Sequence, residues 1–400
     1  MVLTIVGGVY LEQCVQPLWS ALFGSAGRAL SAVTDLAPQE LKLVTYADEG
    51  TRSQVEMLAA SAGGAVEIHP CDRTVSFDYL HPLATPVISP ALSRIVQSVP
   101  IKVRGTVVLR YGMLEGDAII DADVAIYDPQ SAFGAVAFSA NGSSARRLAV
   151  VLNQAEAMSI SGLREPMAAA TWLLKEEGAE VVVLKMGPAG ALVITADGRE
   201  RVPLYRTERV WKVGSGDVFS STFAALWGVQ GMDPVRAADC ASRAVAHYCD
   251  TRSLPGPGLA ELEALTYEEV QPGSGRVYLA GPFFDLGQRW LIEEARHLLL
   301  EMGAQVFSPV HEVGPGPANI VAPEDLAGLD RCDVVLAILN GLDPGTIFEV
   351  GYAVKAGTPV IAFAQNIKDE DLKMVAGSGC ELTDDFASAI YRTIWRLPAL

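Results

Sequence analysis

Two short stretches hold residues whose types and spacing suit chemistry. The first is Asp343-Pro-Gly-Thr-Ile-Phe-Glu349-Val-Gly-Tyr-Ala353. It follows an apolar run, 333–339, that reads as a buried parallel strand. Asp343 and Glu349 therefore flank a strand-to-helix junction, where doubly wound α/β sheets hold ligands. Glu349 reads as a first-turn helical residue, and the helix dipole there favours the ionised carboxylate. That suits a nucleophile forming a covalent glycosyl intermediate. Asp343, at the strand end, can bind a sugar hydroxyl or a leaving base. Asp325 is expected to open another helix at the same sheet edge. Tyr278 is expected to end the first strand of this half, beside the turn Ala280-Gly281-Pro282.

The second stretch is Val213-Gly-Ser-Gly-Asp-Val-Phe219, before a helical segment. Gly214 and Gly216 let the backbone turn tightly, so that the amides around Ser215 point at one spot. The positive helix end adds to it. Such an anion hole can neutralise charge on a transferring phosphoryl group, with Asp217 taking the proton of an attacking hydroxyl.

Each residue also has an ordinary structural use. Asp217, Asp325 and Asp343 can cap helices, Tyr278 can be a core aromatic with its hydroxyl satisfied, and Glu349 can merely complement a dipole. Taken one at a time, the downstream residues favour the structural use; taken together, function is favoured by the family resemblance they carry. The upstream turn alone does not decide between the two uses.

The elements that must position these residues alternate between strand-like and helix-like patterns, which indicates α/β architecture. Strands are expected at 3–6, 42–46, 65–69, 124–127, 181–185 and 191–195, with helices at 166–177, 217–227 and 234–248. Residues 71–112, rich in Pro, Ser and β-branched types, read as irregular structure or a small sheet. Residues 144–152 read as helix then strand. Pro/Gly clusters at 254–258 and 271–275 bracket a linker. A second series follows: strands at 276–281, 305–308, 333–339 and 359–364, helices at 288–302, 324–329 and 346–356, and a Pro/Gly-rich loop reaching Pro323. The expected organisation is a domain over 1–255, a linker over 256–275 and a domain over 276–400.

Four hundred residues exceed a single core. The net charge of -17 argues against a general nucleic-acid polymer binder, though helix N-termini can still hold small anions. The six cysteines form no C-x-x-C pair and read as reduced thiols. No stretch is long and apolar enough for a membrane span. The start, Met1-Val-Leu-Thr, lacks the basic region of a signal peptide and reads as a first strand. A cytoplasmic location is expected.

Beyond the turn itself, residues 1–255 resemble the ribokinase-like (PfkB) carbohydrate kinase family. Gly214-Ser-Gly-Asp217 is similar to its Gly-Ala-Gly-Asp signature, and Asn153-Gln-Ala-Glu156 to its Asn-x-x-Glu motif. Asp128-Pro-Gln130 and Lys185-Met-Gly187-Pro-Ala-Gly190 stand where the family has matching strand ends. The resemblance implies a ribokinase-like α/β domain with a small lid drawn from 71–112. It implies Asp217 as catalytic base, ATP and Mg2+ as cofactors, and nucleotide contacts at Gly214, Ser215, Gly216, Asn153, Glu156, Gly187 and Gly190. Glu156 would hold Mg2+ indirectly. The chain departs from the family in having Trp211-Lys-Val213 before the turn, Glu12 in place of an early sugar-binding Asp, and Gly24-Ser-Ala-Gly27 with no following Asn.

Residues 276–400 resemble the nucleoside 2-deoxyribosyltransferase family. The resemblance rests on Val277-Tyr-Leu-Ala-Gly-Pro282, Asp325-Leu-Ala-Gly-Leu-Asp330 and, above all, 343–353. It implies a flavodoxin-like doubly wound parallel sheet, Glu349 as nucleophile on C1′, and Asp343, Asp325 and Tyr278 as positioning or base-protonating groups. Gly281 and Asn366 are further substrate-binding candidates, and no cofactor is implied. Related nucleoside 5′-monophosphate N-glycosidases carry a Ser-rich turn where this chain has Asp343, which would repel a 5′-phosphate. In the family a neighbouring subunit often completes the site, and the apolar end 395–400 suggests a homo-oligomer.

The expected whole is a bifunctional salvage enzyme for sugars, nucleosides and nucleobases. The alternative is a C-terminal N-glycoside hydrolase beside an inactive kinase-like nucleotide sensor or scaffold.

Overall fold

Nine strands form the sheet of the N-terminal half, in the order Gly198–Val202, Ala191–Thr195, Val181–Lys185, Ser144–Asn153, Ala118–Asp128, Ile101–Tyr111, Leu3–Val6, Leu41–Ala47, Ala65–Pro70. The pairings are parallel except at one edge, where the Ala191–Thr195 and Gly198–Val202 strands run antiparallel. The computed structural model describes residues 2–37, 40–271 and 273–399. The central strands are continuous apolar runs because both sheet faces are covered. Leu3, Ile5, Val107, Leu109, Val181 and Val183 feed one buried cluster. Their neighbours Val6, Val108, Val182 and Leu184 feed another on the opposite face, as the two-residue period of a strand requires.

Four short strands, Leu11–Cys14, Trp19–Leu22, Ser76–Tyr79 and Val87–Ser89, make a separate small sheet. Residues 71–112 thus supply two lid strands. They also supply Ile101–Tyr111, an eleven-residue strand in the main sheet that the Pro- and Ser-rich surroundings obscured. Residues 144–152 are not helix then strand. Ser144–Asn153 is one strand, paired with Asp121 onward from its first residue. Pairing with a neighbouring strand overrides the helix tolerance of Ala145-Arg-Arg.

In the C-terminal half, five parallel strands lie in the order Gln305–Phe307, Arg276–Ala280, Val334–Ile338, Val360–Phe363, Glu381–Thr383. This is the doubly wound flavodoxin-like order, with its switch between Arg276–Ala280 and Val334–Ile338. The helix after Val334–Ile338 is Pro344–Ala356. Asp343 is its N-cap, Pro344 its first residue, and Gly357 ends it in the left-handed conformation. Glu349 therefore lies one turn deeper than expected. The first turn is taken by 344–347, so Glu349 owes less to the helix end.

The helix expected at 324–329 begins at Ala318 and carries Pro323 inside it. Asp325 sits within this helix rather than opening it. Tyr278 is mid-strand rather than terminal.

Packing divides the chain into two units, Met1–Thr207 with Trp211–Glu269, and Glu208–Val210 with Val270–Leu400. The division falls inside the stretch 256–275, whose helix Leu259–Ala264 belongs to the first unit. The C-terminal end packs within its own unit. Leu397 is buried, and Ser274 N donates to Pro398 O at 2.9 Å. Pro398 and Ala399 remain exposed. No described helix is long and apolar enough to cross a membrane.

Candidate active sites

Three neighbouring elements bring the C-terminal carboxylates together. Tyr278 is fully buried in the first strand of that sheet, its ring stacked on Phe307 at 5.5 Å and 16°. From there its hydroxyl donates to Glu349 Oε1 at 2.7 Å. Burial pushes Glu349 up to about 7. The Tyr278 hydrogen bond pulls it back, while the charges of Asp325 and Asp343 push it further up. Burial also raises Asp325, with Glu324 adding to it, and its Oδ1 is buried with no hydrogen-bond partner. Such an atom is costly unless a ligand or water meets it.

Asp343 has a structural task as well. Its Oδ2 accepts from Thr346 N at 2.7 Å and Thr346 Oγ1 at 2.9 Å. The chain reaches it through Gly341 (φ 89°) and Leu342 (φ 51°). A leucine in the left-handed region is a strained residue, and such strain gathers at functional turns. Asn366 is likewise left-handed (φ 57°) and exposed, just beyond the strand Val360–Phe363. No described contact ties it to Glu349. Gly281 has a packing reason to be glycine, since a Cβ there would meet Ile292 Cδ1 at 2.7 Å.

The N-terminal candidates gather at the carboxyl ends of the large sheet, around a residue the sequence reading passed over. Arg28 is fully buried in the helix Gly24–Ala32. Its Nη1 donates to Asp217 Oδ2 at 2.7 Å and to Glu12 Oε1 at 3.3 Å. Its Nη2 pairs with Glu12 Oε2, and its Nε donates to Tyr248 Oη at 3.2 Å. Burial opposes the charge on Arg28, but Glu12, Tyr248 and Asp217 outweigh it and raise its pKa. Burial raises Glu12, and Arg28 partly restores it. The other Asp217 oxygen, Oδ1, accepts from Gln130 Nε2 at 2.9 Å. Gln130 Oε1 in turn accepts from Ser25 Oγ at 2.9 Å. Both oxygens of the expected base are therefore already held. The available signal was one arginine in a run of Gly, Ala, Ser and Leu, since a cation on a helix of small and apolar residues must find buried partners.

Gly214 is the N-cap of Ser215–Phe223 with φ 75°, and a Cβ there would collide with the Arg28 guanidinium at 2.1 Å. The turn is glycine for both reasons. Gly187 and Gly190, both at positive φ, shape the tight connection Gly187–Ala189 between two strands. Asn153 and Glu156 form a capping box, with Glu156 N donating to Asn153 Oδ1 and Asn153 N to Glu156 Oε2, each at 2.8 Å. Lys185 Nζ donates to Asp128 Oδ2 at 2.9 Å and would lie 3.7 Å from a Cβ at Gly216, close beside the turn. Asp128 Oδ1 is buried without a partner. No group of three or more His, Cys, Asp or Glu among the described residues can hold a metal ion by itself.

Comparison with known families bears on both halves. The family model described as nucleoside 2-deoxyribosyltransferase matches residues 277–382, which include Tyr278, Asp325, Asp343 and Glu349. The model described as pfkB family carbohydrate kinase matches residues 148–253, which include Asn153, Glu156 and the 214–217 turn but neither Glu12 nor Arg28. One chain thus carries matches to both a carbohydrate kinase and a nucleoside deoxyribosyltransferase family, which supports a bifunctional sugar or nucleoside enzyme.

Among solved structures, a ribokinase from Thermotoga maritima is 16% identical, with a TM-score of 0.47, over 66% of this chain and 98% of its own. A fructokinase from Vibrio cholerae O395, bound to fructose, ADP and calcium, is 13% identical, with a TM-score of 0.47, over 66% of this chain and 98% of its own. No curated protein matches the chain.

Proposed function

We propose that the C-terminal unit breaks the N-glycosidic bond of an unphosphorylated nucleoside through a sugar held covalently on Glu349. The hydrogen bond from Tyr278 to Glu349 Oε1 carries this reading. It fixes one carboxylate oxygen and leaves Oε2, which has no described hydrogen bond, for attack on C1′. The new bond is Oε2–C1′. The bond that breaks is C1′–N, whose electron pair leaves with the base, and Asp325, whose pKa burial raises, would give that base a proton. A second base or water then attacks C1′, and the Glu349 carboxylate is restored. Asp343 adds negative charge where a 5′-phosphate would sit, which disfavours nucleotides. Glu349→Ala is expected to abolish base release and base exchange. An unchanged exchange rate would overturn the assignment. Product analysis with and without an acceptor base separates transfer from hydrolysis.

For the N-terminal unit the proposal is phosphorylation of a sugar or nucleoside hydroxyl by ATP, with Asp217 as base. Amides of the 214–216 turn and the Lys185 ammonium are the groups that suit phosphate. Mg2+ there would be held chiefly by ATP phosphates and water, with Glu156 reaching it indirectly.

One observation favours a second reading, a nucleotide-binding unit without turnover. The Asp217 carboxylate is ion-paired to Arg28 through one oxygen and held by Gln130 through the other, so protein groups already engage the expected base. ATP consumption across a panel of sugars and nucleosides, compared between the native chain and Asp217→Asn, decides between them. Turnover that disappears in the variant supports the base. Binding without turnover supports the second reading.

A further inference from the structure

The N-terminal cavity is small, about 270 Å³. Ligand sites usually start near roughly 300 Å³, so the cavity has room for one small molecule. Four of its polar side chains already engage one another or Arg28. Both Glu12 oxygens face Arg28, both Asp217 oxygens are held by Arg28 and Gln130, and Gln130 Oε1 accepts from Ser25. These carboxylates keep spare lone pairs and the ammonium of Lys212, which also lines the cavity, has no described partner, so the polar side can still meet a sugar hydroxyl such as those of a nucleoside's ribose.

The lid side of the cavity is different. Phe77 and Tyr79 alternate on the strand Ser76–Tyr79 and so share a face. Their rings stack at 6.5 Å and 17°, and Tyr10 lies 5.2 Å from Phe77. All three rings line the cavity. Tyr10 spends its hydroxyl on Glu115 at 2.6 Å, whereas the hydroxyl of Tyr79 has no described hydrogen bond. Phe77 and Tyr79 are only half-buried, so their surfaces remain available. Aromatic faces with one spare hydroxyl recognise a flat heteroaromatic ring by stacking, without reading many hydroxyls.

We infer that this cavity selects a nucleoside through its base, stacked on Phe77 and Tyr79, rather than a free sugar. The inference concerns binding and holds whether or not phosphoryl transfer follows. It rests on the N-terminal cavity alone. The ligand class is shared with the proposed C-terminal substrate, so the test must count sites.

The test is equilibrium dialysis of the full chain carrying Glu349→Ala, which keeps the nucleoside intact, with adenosine, adenine and ribose. The expected result is two adenosine equivalents per chain. One of them weakens on the order of tenfold in Phe77→Leu/Tyr79→Leu, and Phe77→Trp retains it. Adenine should compete for that equivalent and ribose should not. Thermal melting of the Leu variant at the native temperature confirms that the lid is folded. Should the C-terminal reading be wrong, the parent binds one equivalent and the Leu variant weakens that one. Adenosine binding untouched by the Leu substitutions, or ribose competing better than adenine, overturns the inference.

Discussion

The hydroxyl of Tyr278 donates to Oε1 of Glu349 at 2.7 Å, from a ring fully buried against Phe307. A hydrogen bond thus ties strand to helix beside their shared apolar core. That bond orients the carboxylate and resists the rise in its pKa that burial imposes. A carboxylate with a pKa of about 7 is poised between its two forms near neutral pH.

The pH dependence follows with a definite sign. Attack requires the ionised form, so base release should rise with pH through about 7 and be lost below it. Tyr278→Phe removes the one contribution that lowers the Glu349 pKa. Its rate profile should therefore move to higher pH, with a smaller maximal kcat. A profile moved to lower pH would show that Tyr278 does something else.

On the proposed reading Asp343 adds a phosphate-excluding charge to its capping of the helix, and substitution can separate the two. Asp343→Ala removes the cap on Pro344–Ala356 and should cost about 1 kcal/mol in denaturant unfolding. Asp343→Ser keeps a capping oxygen and should unfold near the native midpoint. Both remove the negative charge, so both should raise the kcat/KM ratio for nucleoside 5′-monophosphate over nucleoside. If Ser restored stability but left that ratio unchanged, the charge would have no part in excluding phosphate.

Arg28 holds Glu12 and Asp217 together in a buried cluster. Arg28→Met leaves two carboxylates buried without a cation and should cost about 3–5 kcal/mol. Adding Glu12→Gln to Arg28→Met removes one uncompensated charge and should recover part of the loss. Chemical denaturation of the two variants measures it. Equal stability of Arg28→Met and the native chain would mean that the pair contributes nothing to folding.

The legible parts of the fold and the illegible ones differ physically. The strand ending at Lys185 and the junction at Asp343 follow from short-range patterns, namely apolar runs closed by Gly, Pro or a capping residue, whereas Asp128 and Asn153 are singled out by resemblance to the kinase family. What the sequence hid depends on partners far along the chain. Ile101–Tyr111 is a strand because it pairs along its whole length with Ala118–Asp128. The helix Ala318–Leu329 tolerates Pro323, which local rules would have used to begin it. The reach of Tyr278 to Glu349 was suggested by motif and needed the sheet register to become a distance. The Arg28 clamp joins positions 12, 28 and 217, and no spacing rule connects those.

The central claim is a sugar covalently attached to Glu349. The direct measurement is intact-mass spectrometry of the chain, acid-quenched during turnover of a nucleoside and followed by peptide mapping. The account predicts a mass increase of one sugar residue, mapped to the peptide carrying Glu349 and missing in Glu349→Gln. Rapid base release with no modified peptide at any quench time would contradict it.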